Sequence, residues 1–271
     1  MEYIQFLIKD YHIDRLGIGN ILKCFISGLS INSDTVIFCH KDYIYGHYDT
    51  VLDERFIFTG ETKKNIQKIS TCRLLLLRHE EEYQQNIPSS EWFMNGLSNR
   101  CFNHYFSFSK QIDWNYDPTK IHELVRARIF SSIDKIIFKP CITDEVQTFF
   151  KNLSHSTLGI SIRTWKSHHE GIIDRPYDID TYMNKITEVL QENKILSIII
   201  SIDNEDYLSP YLELPNVIVL HKPSHFNDIQ FAVYKMLVLS HTNHFIGNRM
   251  STFTELVFWF SKHNTKVYTV F

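Results

Sequence analysis

Leu158-Gly159-Ile160-Ser161-Ile162-Arg163-Thr164-Trp165 decides the fold. A short apolar run of this length reads as a buried strand, and it runs directly into an arginine. Outward from it, apolar residues at Met183, Ile186, Val189 and Leu190 predict a helix over Asp180–Glu192. Ile195–Ile202 reads as a strand ending at Asp203, and Asn216–Leu220 as another. A helix over Ile229–Ser240, a short strand over His244–Gly247, a helix over Thr252–Lys262 and a closing strand over Thr265–Val270 complete the series. Alternating strands and helices predict a parallel α/β sheet with helices on both faces. Ligands of such sheets sit outside the carboxyl ends of the strands. Arg163, Asp203 and the stretch Asn248–Thr252 all fall at such ends.

Toward the N-terminus the pattern is thinner. Tyr3–Ile8 reads as a strand, Gly17-Ile18-Gly19-Asn20 as a turn, residues 21–29 as a helix and Thr35–Phe38 as a strand. That is a βαβ unit, the seed of a second parallel sheet. Arg73–Leu77 is a further candidate strand. Residues 80–118, rich in Asn, Ser and aromatics, carry no clear period, whereas Lys120–Ile133 and Asp144–Asn152 read as helices. The chain divides into an N-terminal unit, 1–155, and a C-terminal unit, 156–271, with no flexible linker and no internal repeat. Two such units suit 271 residues.

Composition excludes several classes of function. Lys+Arg 28 against Asp+Glu 31 gives a net charge of -3, so no basic field invites nucleic acid. The five cysteines are scattered with no C-x-x-C pair, which disfavours a zinc cluster or a disulfide framework. The fourteen histidines form no H-E-x-x-H or similar spacing, so no metal site is expected. Neither a G-x-S-x-G elbow nor a P-loop occurs. No apolar run reaches the length of a membrane span, and the first residues lack the basic start of a signal peptide. The expectation is a cytoplasmic protein.

Three constellations carry chemistry. Gly17 and Gly19, with Asn20, stand between a strand and a helix. They form either a simple tight turn or a cradle where backbone N–H groups meet a phosphate. Leu22 stands where a dinucleotide fingerprint needs a small residue, which disfavours a nicotinamide-type site. Arg163 at the end of a buried strand can hold a diphosphate with its planar fork, or form a structural ion pair. Thr252 and Glu255 match a capping box ahead of the apolar run Leu256–Phe260. The same helix start can offer hydroxyls and N–H groups to a phosphate.

Together these segments resemble a known family. Gly17-Ile18-Gly19-Asn20-Ile21-Leu22-Lys23 resembles the GxGNxLK opening of fucosyltransferase-like enzymes. Gly159-Ile160-Ser161-Ile162-Arg163 is similar to their G-[IV]-x-[IV]-R segment. Phe245-Ile246-Gly247-Asn248-Arg249-Met250-Ser251-Thr252-Phe253-Thr254-Glu255 is similar to their IGSxxSTFSE segment. All three occur in family order, and Ile200-Ser201-Ile202-Asp203 between them resembles a strand ending in Ser/Thr-Asp. The relatives are the nodulation-type α-1,6-fucosyltransferases and the protein O-fucosyltransferases.

The resemblance implies a GT-B architecture, two Rossmann-like domains facing a cleft. The nucleotide sugar would lie mainly on residues 156–271. It implies an inverting, metal-independent glycosyltransferase that moves L-fucose from GDP-fucose to a glycan or other hydroxyl acceptor. The donor is a substrate, and no separate cofactor is expected. Arg163 would hold the diphosphate. Asn248, Ser251, Thr252, Phe253 and Glu255 would line the phosphate and nucleoside pocket. Asp203 would meet the base or ribose, and Gly17, Gly19 and Asn20 would approach from the N-terminal half. Asp14 is one candidate base for the acceptor hydroxyl, and Glu170 another. The chain departs from the family at Ser161, where many relatives carry histidine two residues before the arginine, and at Trp165-Lys166. Those departures leave the sugar open: GDP-rhamnose, a UDP-sugar, or an inactive nucleotide- or sugar-binding module are the alternatives.

Overall fold

The computed structural model describes residues 2–6, 19, 22, 26, 35–40, 57–58, 72–75, 116–121, 123–151, 153, 156–164, 177–249 and 251–270. Among these residues two parallel sheets emerge. The first holds β1 (Glu2–Phe6), β2 (Thr35–His40), β3 (Ile57–Phe58) and β4 (Cys72–Leu75), in the order β3-β2-β1-β4. β1 pairs with β2 from Glu2↔Thr35 and with β4 from Tyr3↔Cys72. Parallel neighbours need a crossover, and Gly19, Leu22 and Ile26 between β1 and β2 are helical, as the βαβ reading requires. β3 has only two residues, too short to leave a period in the sequence.

The second sheet holds β5 (Thr157–Ile162), β6 (Ser197–Ile202), β7 (Val217–Val219), β8 (His244–Asn248) and β9 (Lys266–Val270), in the order β7-β6-β5-β8-β9. All its pairings are parallel. Among the described residues, five helices accompany it: α1 (Glu123–Ile133), α2 (Pro140–Phe150), α3 (Ile179–Glu192), α4 (Asp228–Ser240) and α5 (Thr252–Phe260). α2 begins four residues before its sequence reading. Pro140 occupies the first turn, where its missing N–H costs nothing and its fixed φ suits a helix. α3 is capped by Asp178, which accepts from the N–H groups of Asp180 and Thr181. α4 carries a full capping box between Asn227 and Gln230.

The period of two along the strands sorts the core onto two faces. Leu158, Ile160 and Ile162 of β5, Ile198 and Ile200 of β6 and Ile246 of β8 pack with Tyr182, Ile186 and Val189 of α3. Ile199 and Phe245 point the other way and join Ile129, Ile142, Val233, Leu256 and Trp259 from α1, α2, α4 and α5. Leu22 and Ile26, both fully buried, belong to that same cluster. Leu22 and Ile26 therefore share their core with the helices of the second sheet.

Candidate functional site

The order of the second sheet locates the crevice. From β5 the chain moves outward to β6 and β7, then crosses back through α4 to β8 and out to β9. The direction reverses between β5 and β8, so the switch point lies there. Residues 163 and 164 follow β5, Asn248 ends β8, and α5 begins at Thr252. The sequence-predicted residues Arg163, Asn248, Ser251 and Thr252 thus meet at one crevice. Asp203 follows the neighbouring strand β6, and its N–H donates to the Ile162 carbonyl at 3.3 Å.

Asp203 is exposed, and its carboxylate is engaged. Oδ1 and Oδ2 accept the Thr164 N–H at 2.9 and 3.1 Å, and Oδ1 accepts the Thr164 hydroxyl at 2.7 Å. The carboxylate therefore fastens the residue after Arg163. Arg163 is itself held through its main chain, its N–H donating to the Tyr182 hydroxyl at 3.2 Å.

The cap of α5 falls one residue earlier than the S/T-x-x-E match suggests. Ser251, buried at 8 % exposure, is the N-cap; its hydroxyl accepts the Phe253 N–H at 3.2 Å. Its carbonyl accepts the Glu255 N–H at 3.1 Å, and its own N–H donates to the Asn248 carbonyl at 3.3 Å. Thr252 is the first helical residue, so its hydroxyl is spared from capping. Glu255 is nearly fully buried, a costly position for a carboxylate unless it is paired. Thr254, also buried, lies against β8, where a methyl on Gly247 would collide with its hydroxyl.

Gly19 meets this helix start. A Cβ built on Gly19 would stand 2.7 Å from the Thr252 hydroxyl and 3.2 Å from its Cβ. Only a glycine permits so close an approach. Gly19 and the α5 start, 233 positions apart, are thereby brought together. Asp14, Gly17, Asn20, Trp165, Lys166 and Glu170 lie outside the described residues.

Two residues escaped the sequence reading. Tyr182, on the first turn of α3, has no exposed surface, and burial pushes its phenol pKa up to about 12. It shares the stripe of Ile186 and Val189, and an aromatic with a polar tip in the first turn after β5 is the available signal. Lys235, on α4, holds its ammonium 4.6 Å from the Phe231 ring centre. Burial lowers its pKa, while Asp203 and Asp228 oppose that shift. Nothing in its spacing marked it.

No helix among the described residues is long and apolar enough to cross a membrane, and no group of three or more His, Cys, Asp or Glu there could hold a metal. No protein-family model matches the sequence, and no curated protein does. Solved structures do. The structure of POFUT1 in complex with GDP aligns at a TM-score of 0.53, with 12% identity, over 98% of this chain and 98% of that one. POFUT1 in complex with GDP-fucose aligns at 0.51, with 10% identity, over 98% and 97%. The fucosyltransferase NodZ from Bradyrhizobium aligns at 0.52, with 12% identity, over 94% and 92%. The chain shares, over nearly its whole length, the α/β fold of the fucosyltransferases POFUT1 and NodZ.

Proposed function

We propose that this protein is a glycosyltransferase whose donor is a guanosine diphosphate sugar, in the first instance GDP-fucose, and whose acceptor is a glycan or other hydroxyl. The observation that carries this reading is the meeting of Arg163, Asn248 and the capped start of α5 at the switch point of the second sheet. Support comes from the fold shared with POFUT1, whose structures include complexes with GDP and with GDP-fucose. In this reading the chain has the two-half GT-B arrangement, the donor lying on 156–271 and the glycine turn of 1–155 closing over it.

The chemistry follows from charge. Breaking the sugar–phosphate bond leaves negative charge on the diphosphate and positive charge on the sugar. The Arg163 guanidinium supplies two parallel donors to the departing oxygens. α5 supplies the positive end of a helix, with the N–H groups of Thr252 and Thr254 that Ser251 does not take up. With that charge met by protein donors, the transfer requires no metal. Inversion follows if the acceptor hydroxyl attacks from the face opposite the leaving diphosphate. Asp14 and Glu170 are the two candidates to take its proton. Asp203 holds Thr164 and so steadies the segment carrying Arg163.

Arg163→Ala is expected to lose at least about 100-fold in kcat/KM, the usual cost of removing a donor aimed at developing charge. Near wild-type turnover in a folded variant would sink the reading. Calorimetric titration of the wild type separates the donors: GDP binding with no response to UDP supports the guanosine assignment, while UDP binding moves it to a UDP-sugar. Transfer unchanged in excess chelator supports metal independence.

A further inference from the structure

The two central strands of the second sheet part company at the switch point. β5 and β8 pair at Leu158↔His244, Gly159↔Phe245 and Ile160↔Ile246, and the pairing ends there. On their outer sides both strands continue, β5 with β6 to Ile162↔Ile202 and β8 with β9 to Asn248↔Val270. The last two residues of each strand therefore diverge from the central ladder while staying fixed to their outer neighbours. This split opens the crevice between Arg163 and the β8–α5 corner.

The Tyr182 hydroxyl spans the split. It accepts the Arg163 N–H at 3.2 Å on the β5 side and donates to Asn248 Oδ1 at 3.0 Å on the β8 side. The Ser161 carbonyl lies 3.4 Å away as a second acceptor. A buried phenol needs a single partner to be satisfied. Tyr182 has partners on both strand ends, where the ladder has none to offer. Its raised pKa keeps the proton in place at neutral pH, so the donor side of the bridge is always present. The ring is fully enclosed between α3 and the sheet, beside Tyr177 and Tyr211, so the oxygen has little freedom to wander.

From this we infer that Tyr182 is a positioning residue of the donor site: its phenol bridges the ends of β5 and β8 and sets the separation at which Arg163 and Asn248 face a diphosphate. The inference rests on the donor-site reading above. Tyr182 touches no ligand in this account and acts through the two residues it holds.

Tyr182→Phe keeps the ring and deletes the bridge. GDP titration is expected to show Kd raised about tenfold, and turnover to show donor KM raised with acceptor KM unchanged. A residue with a merely structural role would instead lower the fraction of competent protein, reducing the binding stoichiometry while leaving Kd alone. Hydrogen exchange supplies the second readout: the Arg163 amide, which donates to Tyr182 in the wild type, is expected to exchange at least tenfold faster in the variant, with protection of β6 unchanged. If Tyr182→Phe does not fold, Asn248→Ala carries the same test, because loss of the acceptor loosens the phenol and speeds exchange at Arg163. Kd and donor KM within twofold of wild type, or unchanged exchange at Arg163, overturns the inference. Absence of GDP binding by the wild type overturns the donor-site reading itself, and the ligand half of this inference with it. That outcome is distinct from a wild type that binds GDP and a variant that binds equally well.

Discussion

The two faces of the second sheet are built on opposite principles. Toward α3 the strands present bulk: Leu158, Ile160, Ile162, Ile198 and Ile200 lie under one helix. Toward α4 and α5 they present Ile199 and Phe245 set among small residues, with Gly159 and Ser161 in β5, Ser197 and Ser201 in β6 and Gly247 in β8. There the helices come down close. A Cβ on Gly159 would stand 2.9 Å from both Leu239 Cδ2 and Thr242 Oγ1. The bulky face draws its stability from apolar area. The other draws it from helices fitted against glycine and serine positions around Ile199 and Phe245, backed by α1, α2, Leu22 and Ile26. The site takes one component from each face: Tyr182 from the bulky side, and the α5 start from the close-packed side.

Neighbouring residues test that contrast, because 159 and 160 point to opposite faces. Ile160→Ala empties space under α3 and is expected to destabilise by about 4 kcal/mol, as large-to-small core substitutions do. Gly159→Ala adds one methyl group on the other side and is expected to cost about 2–3 kcal/mol by overpacking. Chemical denaturation measures both. The discriminating step is a second change: Leu239→Ala should cost less in the Gly159→Ala background than in the wild type, and should cost its full amount in the Ile160→Ala background. An equal cost of Leu239→Ala in both backgrounds would falsify the two-principle description.

The sequence displays the bulky face more plainly than the close-packed one. Apolar runs at Leu158–Ile162 and Ile195–Ile202 mark strands whatever surrounds them, and both strands stand nearly as read. Helix positions likewise followed from apolar spacing. The small residues interleaved in those runs are silent, because their meaning lies in what approaches them. Gly19 illustrates this: in sequence it reads as a turn or a phosphate cradle, while in space it is the near-contact of Thr252. Asp203 was legible as a polar residue at a strand end, but its bonds to Thr164 join residues 39 apart. The cap of α5 moved from Thr252 to Ser251 because two hydroxyl residues in succession make the pattern degenerate. Tyr182 was hidden among ordinary core positions, since its importance depends on where β5 and β8 stop pairing.

The close-packed side also holds a half-buried histidine, which gives the smallest effect and a pH signature. His263 follows α5 and lies against Phe258 at 4.4 Å, Phe130 at 4.9 Å and Trp259 at 5.4 Å between ring centres. Its Nε2 is buried with no hydrogen-bond partner among the described residues. Burial, aided by the nearby positive charge of Arg126, lowers its pKa to about 4. The folded state therefore holds the ring neutral, whereas the unfolded chain protonates it near the ordinary value of about 6.5. A depressed folded pKa means that the full contribution is present above pH 6.5 and is lost as pH falls from there toward 4. At pH 5 the loss stays below about 2 kcal/mol, because 1.36 kcal/mol per unit of pKa difference is an upper bound for a ring that solvent partly screens. His263→Asn removes the titrating group and suits the left-handed backbone at this position, where φ is 67°. Its stability should be lower at pH 7.5, from lost stacking, yet fall less steeply between pH 6.5 and 5. Denaturation curves at those three pH values give the comparison. Parallel pH slopes for the wild type and the variant would mean that the aromatic layer admits water to His263, and that this side of the sheet is looser than the fit at Gly159 and Gly247 implies.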